Sequence, residues 1–151
     1  MANKVENQLI DPLFNALQKE RFVTIATIDQ ETGAPNVNAI SWVLAPDRQR
    51  IYFALDTRSS ILENIHKHPA AVINLLANES AYSIIGNAHV KQEKLENVPL
   101  KLALVELEIS EVRDVMFYGS RISAEPQYAK TYDEKAAARL DQQVMDAMKK
   151  A

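Results

Sequence analysis

The residues best suited to chemistry lie in one short turn, Thr57-Arg58-Ser59-Ser60, between an apolar run and a short helical pattern. Three hydroxyls and a guanidinium can donate hydrogen bonds to a single anion. The first amides of a helix lack backbone partners and carry partial positive charge, which also favours an anion. The turn is therefore a candidate phosphate site. The alternative is a capped strand-to-helix turn that carries a surface arginine.

The start of the helix is predicted from Ser60 and Glu63, which have the spacing of a capping box. In that motif the serine hydroxyl accepts from the amide of the glutamate, and the carboxylate reaches back to the serine amide. The helix is expected to end before Pro69, because a proline disfavours the helical conformation of the residue before it.

Length and composition predict one globular domain over residues 1–151, since 47% of the residues are apolar and 25% are charged. A net charge of −3 with scattered basic residues predicts no nucleic-acid partner. Residues 1–8 lack the apolar core of a signal peptide, and no run reaches membrane-spanning length, so a cytoplasmic protein without membrane contact is expected. The absence of cysteine excludes disulfides and thiolate metal sites and fits a reducing compartment.

Hydrophobic periodicity predicts a mainly β fold with flanking helices. The expected elements are an N-terminal helix at about 8–19, strands at 22–28, 35–44, 50–54, 70–76, 82–93 and 102–117, and a C-terminal helix at about 133–150. Six antiparallel strands over about 22–117 favour a closed barrel, because closure removes exposed edges. Gly86 lies within a strand pattern and predicts a bulge or a close backbone approach.

The C-terminal helix carries an apolar stripe at helical spacing, flanked by two methionines. The stripe consists of Ala136, Leu140, Val144 and Ala147, and the flanking residues are Met145 and Met148. We interpret the stripe as a packing surface for the barrel or for a second subunit, in preference to a ligand site.

Several catalytic classes lack their motifs. His66 and His68 are two residues apart at a helix end and have no carboxylate at metal-site spacing, so no metal site is predicted. The chain contains no Gly-x-Ser-x-Gly elbow and, with three glycines, no glycine-rich dinucleotide or phosphate loop. Tyr82, Tyr118 and His89 are possible proton donors, although we favour a packing role for each, and the catalytic residues stay unknown.

The order of segments in the first two thirds of the chain resembles one family. The segments are Phe22-Val-Thr-Ile-Ala-Thr-Ile-Asp, Gly33-Ala-Pro-Asn-Val-Asn-Ala-Ile-Ser, Ile51-Tyr-Phe-Ala, Thr57-Arg-Ser-Ser and Asn64-Ile-His-Lys-His-Pro. This order is similar to that of the pyridoxamine 5′-phosphate oxidase-like FMN-binding split-barrel family. The resemblance implies a six-stranded antiparallel split β-barrel that forms a homodimer, with FMN in a cleft between the subunits.

The resemblance also assigns roles to individual positions. It places the FMN phosphate at Thr57, Arg58, Ser59 and Ser60. It places the flavin ring beside the strand that contains Asn38, Ser41 and Trp42, and along the backbone of Phe53, Ala54 and Leu55. Because strand side chains alternate, Asn38 and Trp42 share a face and Ser41 points to the other. The alternative for Trp42 is a buried aromatic in the core or at the dimer interface.

Some family positions differ in this chain. Where pyridoxamine 5′-phosphate oxidases carry basic residues, the chain has Asn38 and Val43 on the second strand and Ser60 and Ile61 after the turn. Fewer cations predict weaker FMN binding. They also argue against pyridoxamine phosphate as the substrate, because a second phosphate needs its own basic pocket. Lys91 and Arg121 could contribute charge from elsewhere in the chain.

Two functional hypotheses follow. The first is a small flavin-dependent oxidoreductase, in which FMN carries out electron transfer and the protein supplies binding and orientation. The second keeps the barrel without the catalysis, as a stress-associated or sensing protein. Its site would bind flavin weakly, bind another planar cofactor such as haem or a deazaflavin, or stay empty.

Overall fold

A computed structural model describes residues 5–151, so residues 1–4 of the N-terminal stretch considered above lie outside the described residues. The predicted mainly β fold with flanking helices is confirmed. The strands are β1 Val5–Glu6, β2 Val23–Ile28, β3 Pro35–Ile40, β4 Val43–Asp47, β5 Arg50–Asp56, β6 Ala70–Ala77, β7 Ser80–Gln92 and β8 Leu102–Asp114. The helices are α1 Asp11–Ala16, α2 Ser60–Lys67 and α3 Glu134–Lys150.

The described strands form one antiparallel sheet of eight strands, where the sequence predicted six. Their order is β3-β2-β6-β7-β8-β5-β4, and β1 pairs with β8. One extra strand arises because the predicted strand 35–44 breaks into β3 and β4, and the other is the two-residue β1.

The break between β3 and β4 closes the barrel. The carbonyl of Ser41 accepts from the amide of Arg21, just before β2, at 3.0 Å, whereas the carbonyl of Trp42 accepts from the amide of Ala54 in β5 at 3.1 Å. The chain therefore leaves one end of the sheet and joins the other within two residues. The two terminal strands of the sheet order are linked in this way, which is consistent with a split barrel.

The main core fills the barrel. Residues of β2 alternate between buried and half-buried, with Val23 and Ile25 inside. Phe53 of β5 is fully buried in the same cluster. The helix α1 covers this core with Leu13, and Leu17 follows it, both fully buried. α1 is shorter than the predicted 8–19, and its last turn tightens as the Leu17 amide donates to the carbonyls of both Leu13 and Phe14.

The predicted irregularity at Gly86 is confirmed. The pairing of β7 with β8 shifts register between Ile85 and Gly86. A Cβ on Gly86 would collide with the backbone carbonyl of Glu108. Glycine therefore allows the two strands to approach closely at the bulge.

A second apolar cluster lies outside the barrel, where α3 packs on β4 and β5. Val144, Met145, Ala147 and Met148 are buried there, and Leu140 is half-buried. The predicted stripe is thus a packing surface within the same chain from Leu140 to Ala147, whereas Ala136 is half-buried and lies outside the cluster. Within residues 5–151, none of the helices is long and apolar enough to cross a membrane.

Candidate functional site

The turn after β5 begins α2 one residue earlier than predicted. Ser59 is the N-cap, with φ −65° and ψ 135°, and its Oγ accepts from the amide of Ile61 at 3.2 Å. The predicted capping box of Ser60 and Glu63 is therefore wrong. The amide of Ser59 donates to the carbonyl of Asp56 at 2.9 Å, and this tight turn puts Ser59 at the helix boundary. The carboxylate of Glu63 instead accepts from Nε2 of Gln30 at 2.6 Å.

The arginine of the turn is held by its neighbour. The carboxylate of Asp56 accepts from the backbone amide of Arg58 at 2.8 Å and from its Nε at 3.2 Å. The side-chain hydrogen bond from Arg58 lowers the pKa of Asp56 most, and the backbone hydrogen bond lowers it further. The side chain of Arg58 is 89% exposed, so this contact is weak and the guanidinium is free to turn towards a ligand. An anion at the turn would compete with Asp56 for Arg58.

A groove of about 460 Å³ adjoins the turn. The amide of Thr57 donates to the carbonyl of Lys101 at 3.1 Å, which extends the β5–β8 pairing by one residue. Lys101 lines the groove together with Thr57 and Arg58, while Pro99 and Leu100 supply apolar surface. Lys101 is thus a second cation at the turn, and the sequence analysis missed it. Only the long-range pairing of Asp56 with Leu102 brings it there.

A larger pocket of about 680 Å³ also includes Thr57 and is lined by residues of α2, β7 and β8. Leu62, Val90 and Ala103 give it apolar walls, and His66 and Lys67 lie at its polar edge. Thr57 lines both cavities. The turn therefore borders two cavities.

Two of the predicted ring contacts, Ser41 and Trp42, take part in one hydrogen-bonded network. Oγ of Ser41 donates to Oε2 of Glu20 at 2.6 Å, and Nε1 of Trp42 donates to Oδ1 of Asp141 in α3 at 2.9 Å. Nζ of Lys130 joins the two carboxylates, at 2.6 Å from Glu20 and 3.0 Å from Asp141. We name these five residues the Lys130 network.

The lysine of this network is electrostatically stabilised. Burial alone would lower the pKa of Lys130, but hydrogen bonds to Glu20 and Asp141 outweigh burial and raise it above the usual 10.5. The ammonium is therefore charged throughout the neutral range. It ties the segment after β8 to the part of the barrel that carries Ser41 and Trp42.

The other predicted ring contacts lie in three different surroundings. Ala54, 4% exposed, belongs to the outer cluster under α3, and Trp42 packs against that cluster. Leu55 points into the barrel core. Asn38 is exposed on β3, where it pairs with Ile25. Thus Trp42 and Ala54 come together, whereas the break between β3 and β4 interrupts the alternation that would have aligned Asn38 with Trp42.

The candidate proton donors are dispersed. Tyr82 is buried, and its hydroxyl accepts from Nδ2 of Asn78 at 3.0 Å. Tyr118 is 94% exposed. His89 lies on the outer face of β7, with Nε2 at 3.3 Å from Oε2 of the buried Glu106. The structure thus assembles no acid–base pair from these three candidates.

Glu106 is surrounded by charged side chains, among them Lys91, one of the two distant cations considered for an anion. The carboxylates of Glu106 and Glu108 lie within 4.8 Å of His89, a spacing open to metal ions. Arg50 at 3.1 Å and Lys91 at 3.7 Å already compensate Glu106, which favours an ion network across the strands. Lys91 also donates to the hydroxyl of Tyr52 at 2.7 Å.

Arg121, the other distant cation considered for an anion, is paired with Glu79. Its neighbours line a separate cavity of about 440 Å³ that includes Ser80, Asp114 and Phe117. Neither Arg121 nor Lys91 therefore lies in the groove beside Thr57.

Sequence comparison decides the family. The family model described as pyridoxamine 5′-phosphate oxidase matches residues 10–116. The chain belongs to this family. The match includes the turn 57–60, α2 and the barrel, and it ends at Met116. The segment 117–151 of this pyridoxamine 5′-phosphate oxidase family member, including α3, lies beyond the match.

Solved structures share the fold. A candidate pyridoxamine 5′-phosphate oxidase from Lactobacillus delbrueckii is 21% identical with a TM-score of 0.62, covering 74% of this chain and 98% of that one. The General Stress Protein 26 of Bacillus anthracis is 12% identical with a TM-score of 0.51, over 63% and 84% of the two chains. An F420 reductase is 15% identical with a TM-score of 0.54, over 64% and 91%. A comparison with curated protein sequences finds no match.

Proposed function

We propose that this protein binds FMN and acts as a small flavin-dependent oxidoreductase, with the phosphate at the turn Thr57-Arg58-Ser59-Ser60. The observation that carries the proposal is the convergence at the end of β5 of exposed hydroxyls, Arg58, Lys101 and the start of α2. Each of these groups stabilises a phosphate. The whole turn falls within the residues that match the family.

The described residues fit a phosphate, although not tightly. Thr57 and Ser60 are exposed, and α2 begins at Ser60. The hydroxyl of Ser59 is engaged by its own cap, and Asp56 opposes an anion. Two cations and two hydroxyls therefore support binding against one carboxylate. We expect micromolar affinity, which corresponds to about −8 kcal/mol.

When bound, FMN supplies the transfer of a hydride or of electrons. The chain would bind the phosphate, orient the ring and exclude water from it. Trp42 and Ala54 of β5 would supply an apolar surface for a planar ring. We assign no catalytic side chain, because Tyr82, Tyr118 and His89 lie in separate surroundings.

We further propose that the substrate is not pyridoxamine phosphate. The substrate's phosphate would need cations beyond those at the turn. Lys91 is held by Tyr52 and Glu106, and Arg121 by Glu79. In a flavin-reduction assay we expect a phosphate-free electron donor to reduce the bound flavin and pyridoxamine phosphate to leave it oxidised.

The proposal includes a cytoplasmic homodimer, with the flavin cleft between subunits. Dimers are common in this family, and exposed apolar residues such as Val37 and Phe117 are available for contact. Sedimentation equilibrium should give twice the 17.0 kDa of one chain. A species of 17.0 kDa at micromolar concentration would contradict the dimer.

A second candidate is a stress-associated or sensing protein. Such a protein would bind flavin weakly, bind a deazaflavin or haem instead, or carry no cofactor. The carboxylate of Asp56 beside the anion site and α3 over Trp42 favour it. The absorption spectrum of the purified protein separates the candidates, provided that FMN is also added back. A flavin spectrum supports the first proposal, and a haem spectrum supports the second.

The decisive binding test is titration with FMN, followed by flavin fluorescence, of wild type and Arg58→Ala. Arg113→Ala is a matched control, because Arg113 is exposed and paired with Glu111 two residues away, as Arg58 is with Asp56. We expect Arg58→Ala to weaken binding about three- to tenfold and Arg113→Ala to have no effect. Equal affinities for all three proteins would place the phosphate elsewhere.

A further inference from the structure

The segment after Met116 lies beyond the residues that match the family model. It ends in α3, which lies on the outer face of β4 and β5. Met145 and Met148 are buried there against a cluster that includes Leu44, Tyr52 and Ala54. The outer surface of β5 just before the turn is therefore covered by residues that lie beyond the family match.

The Lys130 network fixes this cover at its edge. Asp141 of α3 accepts from Trp42, and Lys130 holds both Asp141 and Glu20. The side chains of Lys130, Glu20 and Asp141 are 26%, 16% and 15% exposed. An ion network with this much burial is stronger than a surface pair and holds a definite position.

The position of the cover coincides with the surface that a flavin ring would need. Ala54 precedes Thr57 by three residues, which is about 10 Å along a strand. A ring joined by a ribityl chain to a phosphate at Thr57 would therefore reach the surface of Ala54 and Trp42. Ala54 is 4% exposed because it belongs to the cluster under α3.

Building on the proposed function, we propose that residues 117–151 form a cover that competes with the flavin ring for the surface of Trp42 and Ala54. Binding of the flavin ring at this surface requires α3 to move away from it. The apparent dissociation constant is then the intrinsic constant divided by the fraction of molecules in which the cover is open. The cover thus regulates occupancy of the site.

The test loosens the cover and measures the affinity for FMN. Asp141→Ala removes the acceptor of Trp42 and one partner of Lys130, and Lys130→Met removes the link to both carboxylates. Asp146→Ala is the matched control, since Asp146 lies on the exposed face of the same helix and accepts from Gln142 one turn away. We expect both loosening variants to bind FMN at least about threefold more tightly than wild type and the control.

Amide hydrogen exchange gives a second readout that does not depend on affinity. If the cover opens, FMN accelerates exchange of the α3 amides, whereas a ring bound beside an unmoved helix would slow it. Tighter binding by both variants together with faster exchange supports the proposal. Binding of FMN by the two loosened variants but not by wild type also supports the proposal, because the closed cover then blocks the site in wild type.

The failures are distinguishable. If wild type binds FMN and both variants bind it as tightly as wild type or more weakly, the competition between the cover and the ring is refuted. The flavin proposal then stands. If no protein binds FMN, with circular dichroism showing all four folded, both the cover and the flavin proposal are refuted.

Discussion

At the scale of single residues, the turn after β5 depends on which serine caps α2. Ser59 has the extended backbone of an N-cap, and its Oγ accepts from the amide of Ile61. Ser60 is the first helical residue and is exposed. The hydroxyl of Ser60 is therefore available to a ligand, whereas that of Ser59 stabilises the helix.

Replacement of the two serines should separate these roles. We expect Ser59→Ala to lower the free energy of unfolding by about 1 kcal/mol, because the Ile61 amide loses its acceptor. Ser60→Ala should change it by less than about 0.5 kcal/mol. Urea unfolding followed by circular dichroism measures both. A larger loss for Ser60→Ala would contradict the assignment of the cap.

At Gly86 the backbones of β7 and β8 lie too close together to leave room for a side chain. A methyl group there meets the backbone carbonyl of Glu108, which cannot rotate away as a side chain would. We expect Gly86→Ala to destabilise the fold by roughly 2 kcal/mol or more. Gly33→Ala, in an open turn at φ 76°, gives a comparison in which strain acts without a collision. A smaller effect at Gly86 than at Gly33 in thermal unfolding would show that β7 and β8 can separate there.

At the scale of elements, the decisive contact is between α3 and the barrel. Trp42 is the only tryptophan of the chain and donates to Asp141 of α3. Its fluorescence therefore reports directly on whether the helix is docked. The helix brings apolar packing to this contact, and the Lys130 network adds an electrostatic contribution that depends on pH.

The pH dependence of docking follows from the groups around Lys130, which are Glu20, Asp141 and Tyr128. The raised pKa of Lys130 contributes stability that is complete below its usual 10.5 and is lost as pH rises through the raised value. Burial, followed by the charge of Glu20, raises the pKa of Tyr128 as well, so its ionisation acts in the same direction.

We therefore expect Trp42 emission to stay constant from about pH 7 to about pH 10 and to shift above that range. Lys130→Met should show a smaller alkaline change, because the contribution of the lysine is missing. Fluorescence spectra recorded across the pH range measure the effect. A shift between pH 7 and 9 in wild type would contradict this account of the network.

At the scale of the whole molecule, local patterns predicted most strands and the family. Alternation over 22–28 and 102–117 gave β2 and β8 because side chains of a strand face the core at every second residue. The break at Ser41 and Trp42 could not be seen in the sequence, since the residues on both sides of it continue the extended pattern of the predicted strand 35–44. It arises only because the chain must leave β2 and join β5 to close the barrel.

The candidate site was predictable only where it is continuous in sequence. The turn 57–60 was found because its residues are adjacent, yet Lys101 reaches it through the pairing of β5 with β8. The stripe of α3 predicted an amphipathic helix but not its partner, because an apolar stripe does not specify which apolar surface it covers. The contact of α3 with Trp42 and Ala54 could therefore not be derived from the pattern.

The most direct test of the central claim is the position of bound FMN, mapped by amide chemical shifts of isotope-labelled protein during titration. We predict large changes at the amides of residues 57–61 and at Lys101, together with changes in α3 as it leaves Trp42 and Ala54. Arg58→Ala should reduce the changes at a given FMN concentration. Changes confined to the cavity near Phe117 and Arg121, or no changes at millimolar FMN, would contradict a flavin phosphate site at this turn.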